Sequence, residues 1–246
     1  MVRAEEALAA MERLPVEPIG TILTAGPPLI LAPHPDDESL GCGGLIAASV
    51  LAGMPPFVLV LTDGTGSHPN SRAYPAAKLR RLRQAEAVAA IKELGLDAGR
   101  IAFLGLRDTE SPIAGPAFDA TVSAVAALAI RIGAGSILAP WQHDPHCDHE
   151  SAHLIAIAAA RETNLPHLAY PVWGLTLPPD TPLPGLPTGR RIEITPYLPQ
   201  KRRAIAAHRS QLGEVIVDDP AGFELPRAFL ALFDQPFEIL LDVPAA

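Results

Sequence analysis

The sequence predicts an α/β fold in which a doubly wound, mainly parallel sheet carries helices on both faces. Two observations predict it. Short apolar runs alternate with longer helical stretches along the chain, and that alternation is typical of βαβ units. The runs are also apolar at every position, and strands of that kind belong to parallel sheets that are buried on both faces.

The elements follow one another in a regular order. The apolar runs predict strands over residues 28–32, 57–61, 100–104, 136–139 and 167–173. Helices are predicted over residues 43–52, 76–94, 118–132 and 149–162. Gly95 and Gly133 follow two of these helices, as glycines commonly do at helix C-termini. We expect right-handed crossovers between the parallel strands.

The rest of the chain is less regular. Residues 178–189 form a proline-rich segment, which we interpret as an ordered flap or insertion. A strand is predicted from about residue 190, then a helix over 197–208, then irregular structure. We expect a single domain over residues 1–246, with a core at about 26–175 and a C-terminal extension of the sheet at about 176–246.

Composition excludes several classes of protein. The 246 residues include 19 Lys and Arg against 27 Asp and Glu, a formal net charge of −8. This balance argues against a general nucleic-acid binder or a protein held on an anionic membrane. Hydrophobic residues make up 48% and charged residues 19%, which excludes a disordered chain. The two cysteines, Cys42 and Cys147, are too few for a disulfide framework.

Neither a secretory signal nor a membrane span is expected. Residues 1–15 contain three glutamates and no apolar core, so we predict a cytoplasmic protein. Residues 39–62 carry no charge and are long enough to cross a bilayer. However, Gly53-Met54-Pro55-Pro56 interrupts them, which favours the end of a helix and the approach to a buried strand.

A first cluster of ionisable residues follows the first predicted strand. His34, Asp36, Asp37 and Glu38 lie within five residues. Adjacent carboxylates repel one another unless a cation lies among them. One acid could cap the following helix, but capping does not explain three. A metal ion is the simplest explanation.

A second cluster follows the fourth predicted strand. Residues 141–149, WQHDPHCDH, contain three histidines and two aspartates. In the common strand order 3-2-1-4-5, strands 1 and 4 are neighbours, and ligands bind in the crevice at their C-terminal ends. We therefore expect the two clusters to converge on one metal ion with mixed His and Asp ligands. A catalytic zinc site usually has three protein ligands and one water.

Other interpretations compete with this one. Gly41-Cys42-Gly43-Gly44 lies where a dinucleotide fingerprint would lie, but Ile46 occupies its last glycine position and the preceding acids would repel a pyrophosphate. His149-Glu150-Ser151-Ala152-His153 matches the H-E-x-x-H motif of zinc metallopeptidases, though it leaves the His34 cluster without a role. A metal-binding domain without catalytic activity is the third alternative.

Two motifs resemble those of the PIG-L/LmbE-type N-deacetylase family. The segment APHPDDE at residues 32–38 is similar to the family's AHPDDE, with Pro33 inserted or substituted. HCDH at residues 146–149 is similar to its H-P-D-H, with Cys147 replacing proline. Weaker similarity extends over most of the chain, through LTDG at 61–64, RQAE at 83–86 and HRSQ at 208–211.

The resemblance implies a Rossmann-like fold and zinc-dependent hydrolysis of an N-acyl group, usually on an amino sugar such as N-acetylglucosamine. It implies His34, Asp37 and His149 as ligands of Zn²⁺ or another divalent metal. Asp36 matches the general base. His146 matches the histidine that stabilises the oxyanion or donates a proton.

Further residues receive predicted roles around this centre. Asp148 is expected to orient one of the histidines. By the same resemblance, Arg72 and Asp108 match positions that contact the sugar. Trp173, and less directly Trp141, could stack on a sugar ring. The predicted partner is a small-molecule N-acyl amino sugar or conjugate, and a homo-oligomer is left open.

Overall fold

A computed structural model describes residues 1–243. Its strands are β1 (Val2–Arg3), β2 (Val16–Glu17), β3 (Pro28–Ala32), β4 (Phe57–Thr62), β5 (Ile101–Leu106), β6 (Ser136–Pro140), β7 (His167–Tyr170), β8 (Pro182–Leu183), β9 (Gly189–Glu193) and β10 (Phe237–Asp242). Its α-helices are α1 (Ala4–Met11), α2 (Asp37–Leu51), α3 (Ala76–Glu93), α4 (Gly115–Ile132), α5 (Cys147–Thr163), α6 (Leu198–Ala207) and α7 (Arg227–Leu230).

The predicted strand order is confirmed. The main sheet has eight strands in the order β2-β9-β10-β7-β6-β3-β4-β5. The five adjacent strands β5, β4, β3, β6 and β7 are parallel. They reproduce the predicted order 3-2-1-4-5. Strand β10 is antiparallel to both β7 and β9, and β2 adds at the far edge, parallel to β9. The first and fourth predicted strands are therefore neighbours.

Both faces of this sheet are covered, as the apolar strands predict. Along β3, Ile30 packs into one buried cluster with Leu45 and Ile91 of helices α2 and α3. Its neighbour Leu31 packs into another with residues of α4 and α5. Successive side chains of a strand point to opposite faces, so a strand buried on both faces must be apolar at every position.

The sequence did not predict strand β10. It reads FEILLD, and the polar Glu238 interrupts its apolar run. Glu238 is only 4% exposed. It forms an ion pair with the buried Lys201 of α6, with 2.7 Å between Nζ and Oε1. A charged residue within a strand suggests an exposed position, and only the distant lysine makes this one compatible with burial.

The glycines of α2 have a packing role. A Cβ atom on Gly41 would lie 2.3 Å from the ring of Tyr170, and one on Gly44 would lie 2.5 Å from Ile194. The backbone amides of Gly44 and Leu45 donate to the Glu238 carboxylate at 2.8 and 2.7 Å. The glycines therefore let α2 approach its neighbours closely, and no dinucleotide fingerprint is needed to explain them.

The uncharged stretch at residues 39–62 is divided as predicted, because α2 ends at Leu51 and β4 begins at Phe57. Within residues 1–243, one helix, α4, is long and apolar enough to cross a membrane by length and composition alone. Its residues Val122, Val125 and Ala129 pack into the buried cluster beneath the sheet. A third of the helix is buried, which is typical of a helix that covers one face of a sheet.

Candidate metal centre

The two ionisable clusters converge at the C-terminal ends of β3 and β6. The first lies where β3 passes into α2, and the second where β6 passes into α5. The ring centroid of His34 is 4.6 Å from that of His146 and 5.5 Å from that of His149. Since β3 and β6 are neighbours in the sheet, the topology brings together residues more than a hundred positions apart.

Three side chains have spacing that suits one metal ion. The Oδ2 atom of Asp37 lies 3.2 Å from His34 Nδ1 and 3.3 Å from His149 Nε2. In a tetrahedral zinc site with bonds of about 2.0–2.1 Å, ligand atoms lie about 3.3–3.4 Å apart. Asp37 is therefore at ligand spacing from each histidine. Ring nitrogens of His34, His146 and His149 lie within 4.8 Å of one another, close enough to bind one metal ion.

The orientation of His149 strengthens the fit. Its Nδ1 lies 2.9 Å from Asp144 Oδ2, so Nδ1 carries a proton. Burial opposes the charged ring, but Asp37 and Asp144 outweigh burial and raise the pKa of His149 to about 9, so a metal that binds Nε2 must displace a proton. That Nε2 atom is buried and makes no hydrogen bond to the described residues, although it lies close to Asp37. A carboxylate behind an imidazole whose other nitrogen is free is the usual arrangement of a metal-ligating histidine.

Asp144 was not assigned a role from the sequence. Besides His149, it accepts the backbone N–H groups of Val172, Trp173 and Gly174 at 2.7 to 3.0 Å. It therefore ties the second cluster to the loop after β7. Its only signal in the sequence was its place within the His- and Asp-rich loop.

Replacing Asp144 with Asn is expected to weaken metal binding by about 10- to 100-fold. In either orientation the Asn NH2 faces at least one backbone N–H donor of residues 172–174, and the negative charge behind His149 is lost, so the ring is held less firmly and its Nε2 becomes a weaker ligand. Competition with a chelator measures the affinity, and Asp180→Asn at a 90% exposed side chain is the matched control. Equal affinity in both variants would contradict this role.

His34 is oriented by two further carboxylates. Its Nε2 lies 2.9 Å from Asp148 Oδ2 and 3.3 Å from Asp108 Oδ1. Burial disfavours the charged ring, but hydrogen bonds to Asp108, Asp148 and Asp37 outweigh burial and raise the pKa of His34 well above its usual value. Asp148 also accepts the N–H of Thr109 at 2.8 Å. Asp148 thus lies between the ring of His34 and the loop after β5.

Asp36 lies beside the three candidate ligands but faces another group. Its Oδ2 accepts from Arg83 Nη2 at 3.1 Å, and Arg83 also donates to the carbonyls of Pro35 and Gly64. The φ angle of Asp36 is 153°, in a region that non-glycine residues rarely occupy. Such strain persists only where the surroundings impose it, and Arg83 is one of the groups that impose it.

A second chain of contacts supports the backbone of Asp36. Its N–H donates to Glu38 Oε2 at 3.1 Å. The other oxygen of Glu38 lies 2.6 Å from Ser39 Oγ and 3.2 Å from His208 Nε2. Arg83 and His208, which support Asp36 directly and through Glu38, belong to two of the three weaker motifs of the sequence, RQAE and HRSQ. Their role required the fold, because His208 comes from the C-terminal part of the chain.

The carboxyl groups of Asp36 and Asp37 differ in acidity. Burial raises the pKa of Asp36 to about 6, although the Arg83 guanidinium opposes it. Burial also acts on Asp37, but the positive charge of His149 beside it, together with the hydrogen bond and charge of His34, outweighs burial and holds the pKa of Asp37 well below its usual value. Asp37 is therefore suited to bind a cation, and Asp36 to exchange a proton.

His146 has a defined tautomer. Its Nδ1 accepts the backbone N–H of Asp148 at 3.2 Å, so the neutral ring carries its proton on Nε2. Burial, together with the nearby rings of His34 and His149, lowers its pKa. The side chain is 31% exposed. A neutral imidazole that presents Nε2–H can donate a hydrogen bond to an oxygen in the cavity.

A cavity of about 220 Å³ opens over these residues. Its lining includes His34, Asp36, Asp37, His146 and, among the predicted sugar contacts, Asp108. Arg72 is not brought to it, because its side chain is exposed and its backbone N–H donates to Asp218. Of the two tryptophans, Trp173 lines the cavity, whereas Trp141 is buried in a separate apolar cluster with residues of α1.

The H-E-x-x-H residues do not assemble into a second centre. His153 Nδ1 donates to the carbonyl of Pro140 at 2.9 Å, and its ring lies 5.1 Å from that of His167. Glu150 is exposed. The geometry therefore gives the metallopeptidase alternative no support.

Replacing His167 with Leu is expected to flatten the acid dependence of stability. Burial, with a smaller effect of His153, lowers the pKa of His167 from 6.5 to about 3. The unfolded chain therefore binds the extra proton between these values, and stability is lost as the pH falls. This one group accounts for roughly 1.5 kcal/mol between pH 6.5 and 5. Urea unfolding at both pH values measures it, and an unchanged slope in the variant would contradict the assignment.

Comparisons with known proteins identify relatives of this chain. A family model described as "PIG-L: GlcNAc-PI de-N-acetylase" matches residues 29–160. The chain is 28% identical over 194 residues to the diacetylchitobiose deacetylase of Thermococcus kodakarensis, a match that covers 76% of this chain and 70% of that protein.

Two further matches extend the comparison. The 1D-myo-inositol 2-acetamido-2-deoxy-alpha-D-glucopyranoside deacetylase of Rhodococcus opacus is 28% identical over 237 residues, which covers 75% of this chain and 81% of that protein. The solved N,N'-diacetylchitobiose deacetylase of Pyrococcus horikoshii superposes with a TM-score of 0.59 at 22% identity, over 78% of this chain and 73% of that chain. The last match shows a shared fold.

Proposed function

The chain belongs to the PIG-L family of GlcNAc-PI de-N-acetylases, and on that premise we propose its reaction. It is a metal-dependent hydrolase that removes an N-acetyl or related N-acyl group from an amino sugar or amino-sugar conjugate. One observation carries this conclusion most directly. Asp37 lies between His34 and His149 at ligand spacing, and Asp36 beside it is held by Arg83 with a pKa of about 6.

We propose His34 Nδ1, Asp37 Oδ2 and His149 Nε2 as the ligands. Two imidazoles and one carboxylate suit Zn²⁺, which is the metal we propose, and they also suit other divalent ions. When bound there, zinc supplies Lewis acidity, which polarises an amide carbonyl and makes water more acidic. The buried Nε2 of His149, which faces Asp37 Oδ2 at 3.3 Å, supports this assignment.

Asp36 and His146 have different roles in the proposed reaction. Asp36 takes a proton from the attacking water through the oxygen that Arg83 leaves free, and returns it to the amide nitrogen as the C–N bond breaks. His146 donates Nε2–H to the carbonyl oxygen as negative charge develops there. The products are a carboxylic acid and a free amine. The lowered pKa of His146 supports a neutral donor in this step.

Two residues, Asp108 and Arg72, are proposed to contact the sugar. Asp108 lines the cavity beside Thr109 and could accept hydrogen bonds from sugar hydroxyls. Arg72 keeps its proposed sugar contact only for a substrate that extends beyond the cavity, since its side chain lies outside it. We expect a small-molecule substrate that the enzyme meets in the cytoplasm.

Metal analysis combined with an activity assay tests the proposal. Wild type, Asp37→Ala and His153→Ala are purified, their zinc is measured by elemental analysis, and amine release is followed on N-acetylglucosamine and N,N'-diacetylchitobiose. We expect Asp37→Ala to lose both metal and activity, and His153→Ala to keep both.

Two results would contradict the proposed function. Loss of metal from His153→Ala alone would favour the H-E-x-x-H alternative, and peptides would then be tested. Full metal content without amine release from any N-acetyl sugar would favour a metal-binding domain without catalytic activity.

A further inference from the structure

The cavity over the metal centre has two unlike sides. The loops after β4 and β5 line the cavity with Gly66 and with three polar side chains, Ser67, Asp108 and Thr109. The lining also carries an apolar wall, defined by Leu40, Trp173, Phe223 and Leu225. Trp173 follows β7 and Asp108 follows β5, and the order β7-β6-β3-β4-β5 places the metal centre between them. A substrate bound at the centre therefore meets Asp108 and Thr109 in one direction and Trp173 in the other, and Phe223 extends the wall from Trp173 toward Ser67.

Aromatic packing makes the wall rigid. The ring of Trp173 stacks on Phe229 with centroids 4.1 Å apart and 14° between the planes. Phe223 meets Trp173 edge to face at 5.7 Å and 70°. Phe223 is still 37% exposed, although it lies in the wall of a cavity. A large apolar side chain exposed at a binding cavity is the type of surface that receives an apolar ligand group.

Hydrogen bonds join the segment that carries Phe223 and Leu225 to the loop after β4 and to Gln211. The N–H of Phe223 donates to the carbonyl of Ser67 at 2.7 Å, and the N–H of Leu225 donates to the carbonyl of Gln211 at 2.8 Å. Asp218 accepts the N–H groups of Arg72 and Ala73 at 2.8 and 2.9 Å. The segment that carries Phe223 is thus fixed on the loop after β4, and its apolar surface is present before any ligand binds.

Most of the wall lies outside the part of the chain that matches the family model. That match ends at residue 160, whereas Trp173, Phe223 and Leu225 follow it. The metal centre lies within the matched part. The chemistry is therefore carried by the family core, and the wall is a feature of this chain's C-terminal part.

We propose that the apolar wall receives the acyl chain of the substrate, and that the enzyme prefers N-acyl groups longer than acetyl. This inference rests on the proposed function. The scissile carbonyl must lie at the metal centre, so the sugar and the acyl tail extend from it in different directions. Sugar hydroxyls need hydrogen-bonding partners, which the polar side supplies. The tail needs none and contacts the wall.

The size of the effect follows from the burial of methylene groups. Each methylene that leaves water against the wall is expected to raise kcat/KM by about two- to fourfold. An N-hexanoyl substrate should therefore exceed the N-acetyl substrate by at least about tenfold. The rise should stop where the chain extends beyond Phe223.

A substrate series with one shared product tests the proposal. Zinc-loaded enzyme is assayed with N-acetyl-, N-butyryl- and N-hexanoyl-glucosamine, and released glucosamine is measured in each case. Phe223→Ala is expected to lower kcat/KM for the hexanoyl substrate at least about tenfold more than for the acetyl substrate. Phe223→Leu, which keeps an apolar side chain, should retain the preference. Val217→Ala, at an 84% exposed residue of the same segment, should match wild type.

Three outcomes would overturn the inference. If wild type cleaves the acetyl substrate fastest, the wall does not bind the chain, although the proposed function stands. If Phe223→Ala lowers all three rates equally, the wall contacts the sugar. If no N-acyl glucosamine is cleaved, the proposed function itself fails for this sugar, and the inference fails with it.

Discussion

Replacing Asp36 with Asn is expected to lower kcat by about 10²- to 10⁴-fold while the metal content stays unchanged. The amide oxygen can still accept from Arg83, so the loop keeps its shape, but the side chain can no longer take a proton from water. Asp37, His34 and His149 are untouched. Elemental analysis and the amine-release assay on the same sample separate the two effects.

The pH profile adds a second test of the same group. Activity requires the ionised Asp36 carboxylate, so kcat/KM falls as the pH drops through its pKa. Burial raises that pKa to about 6, and the positive charge of a bound metal lowers it again. The acid limb of wild type should therefore lie at or below pH 6, and the residual activity of Asp36→Asn should lack it. Asp119→Asn, at an exposed residue of α4, is the control. Near-normal turnover by Asp36→Asn would contradict the mechanism.

Replacing Lys201 with Met is expected to destabilise the protein by about 3–5 kcal/mol. Lys201 is 2% exposed, and its partner Glu238 is 4% exposed. Loss of the ammonium leaves a buried carboxylate with only the backbone amides of Gly44 and Leu45 to compensate it. Urea unfolding of the variant measures the change.

A neighbouring ion pair and a double variant provide the controls. Arg202 is paired with Asp234 at 2.6 Å, but their side chains are 58% and 47% exposed. Arg202→Met should therefore cost less than about 1 kcal/mol. Lys201→Met combined with Glu238→Gln should recover part of the lost stability, because the amide still accepts one backbone N–H and carries no charge. Equal losses for Lys201→Met and Arg202→Met would contradict the assigned role of burial.

The sequence by itself determined the parallel core of the fold and the convergence of the two clusters. Both depend on local signals. Strand β3 can be predicted from its own residues, because a strand buried on both faces is apolar at every position. His34 and Asp37 belong to one short loop, and His149 follows another. The rule that neighbouring parallel strands present their C-terminal ends at one edge was enough to predict that these loops meet.

The tertiary structure alone decided which groups support the candidate ligands and shape the cavity. Asp144 gains its place behind His149 from hydrogen bonds to the loop after β7, and Arg83 reaches Asp36 across 47 residues of chain. Glu238 is compatible with a buried strand only because Lys201 lies beside it. Phe223 lines the cavity because its segment is tied to Ser67. Each of these contacts joins residues distant in the chain, and neither propensity nor periodicity encodes a partner at such separation.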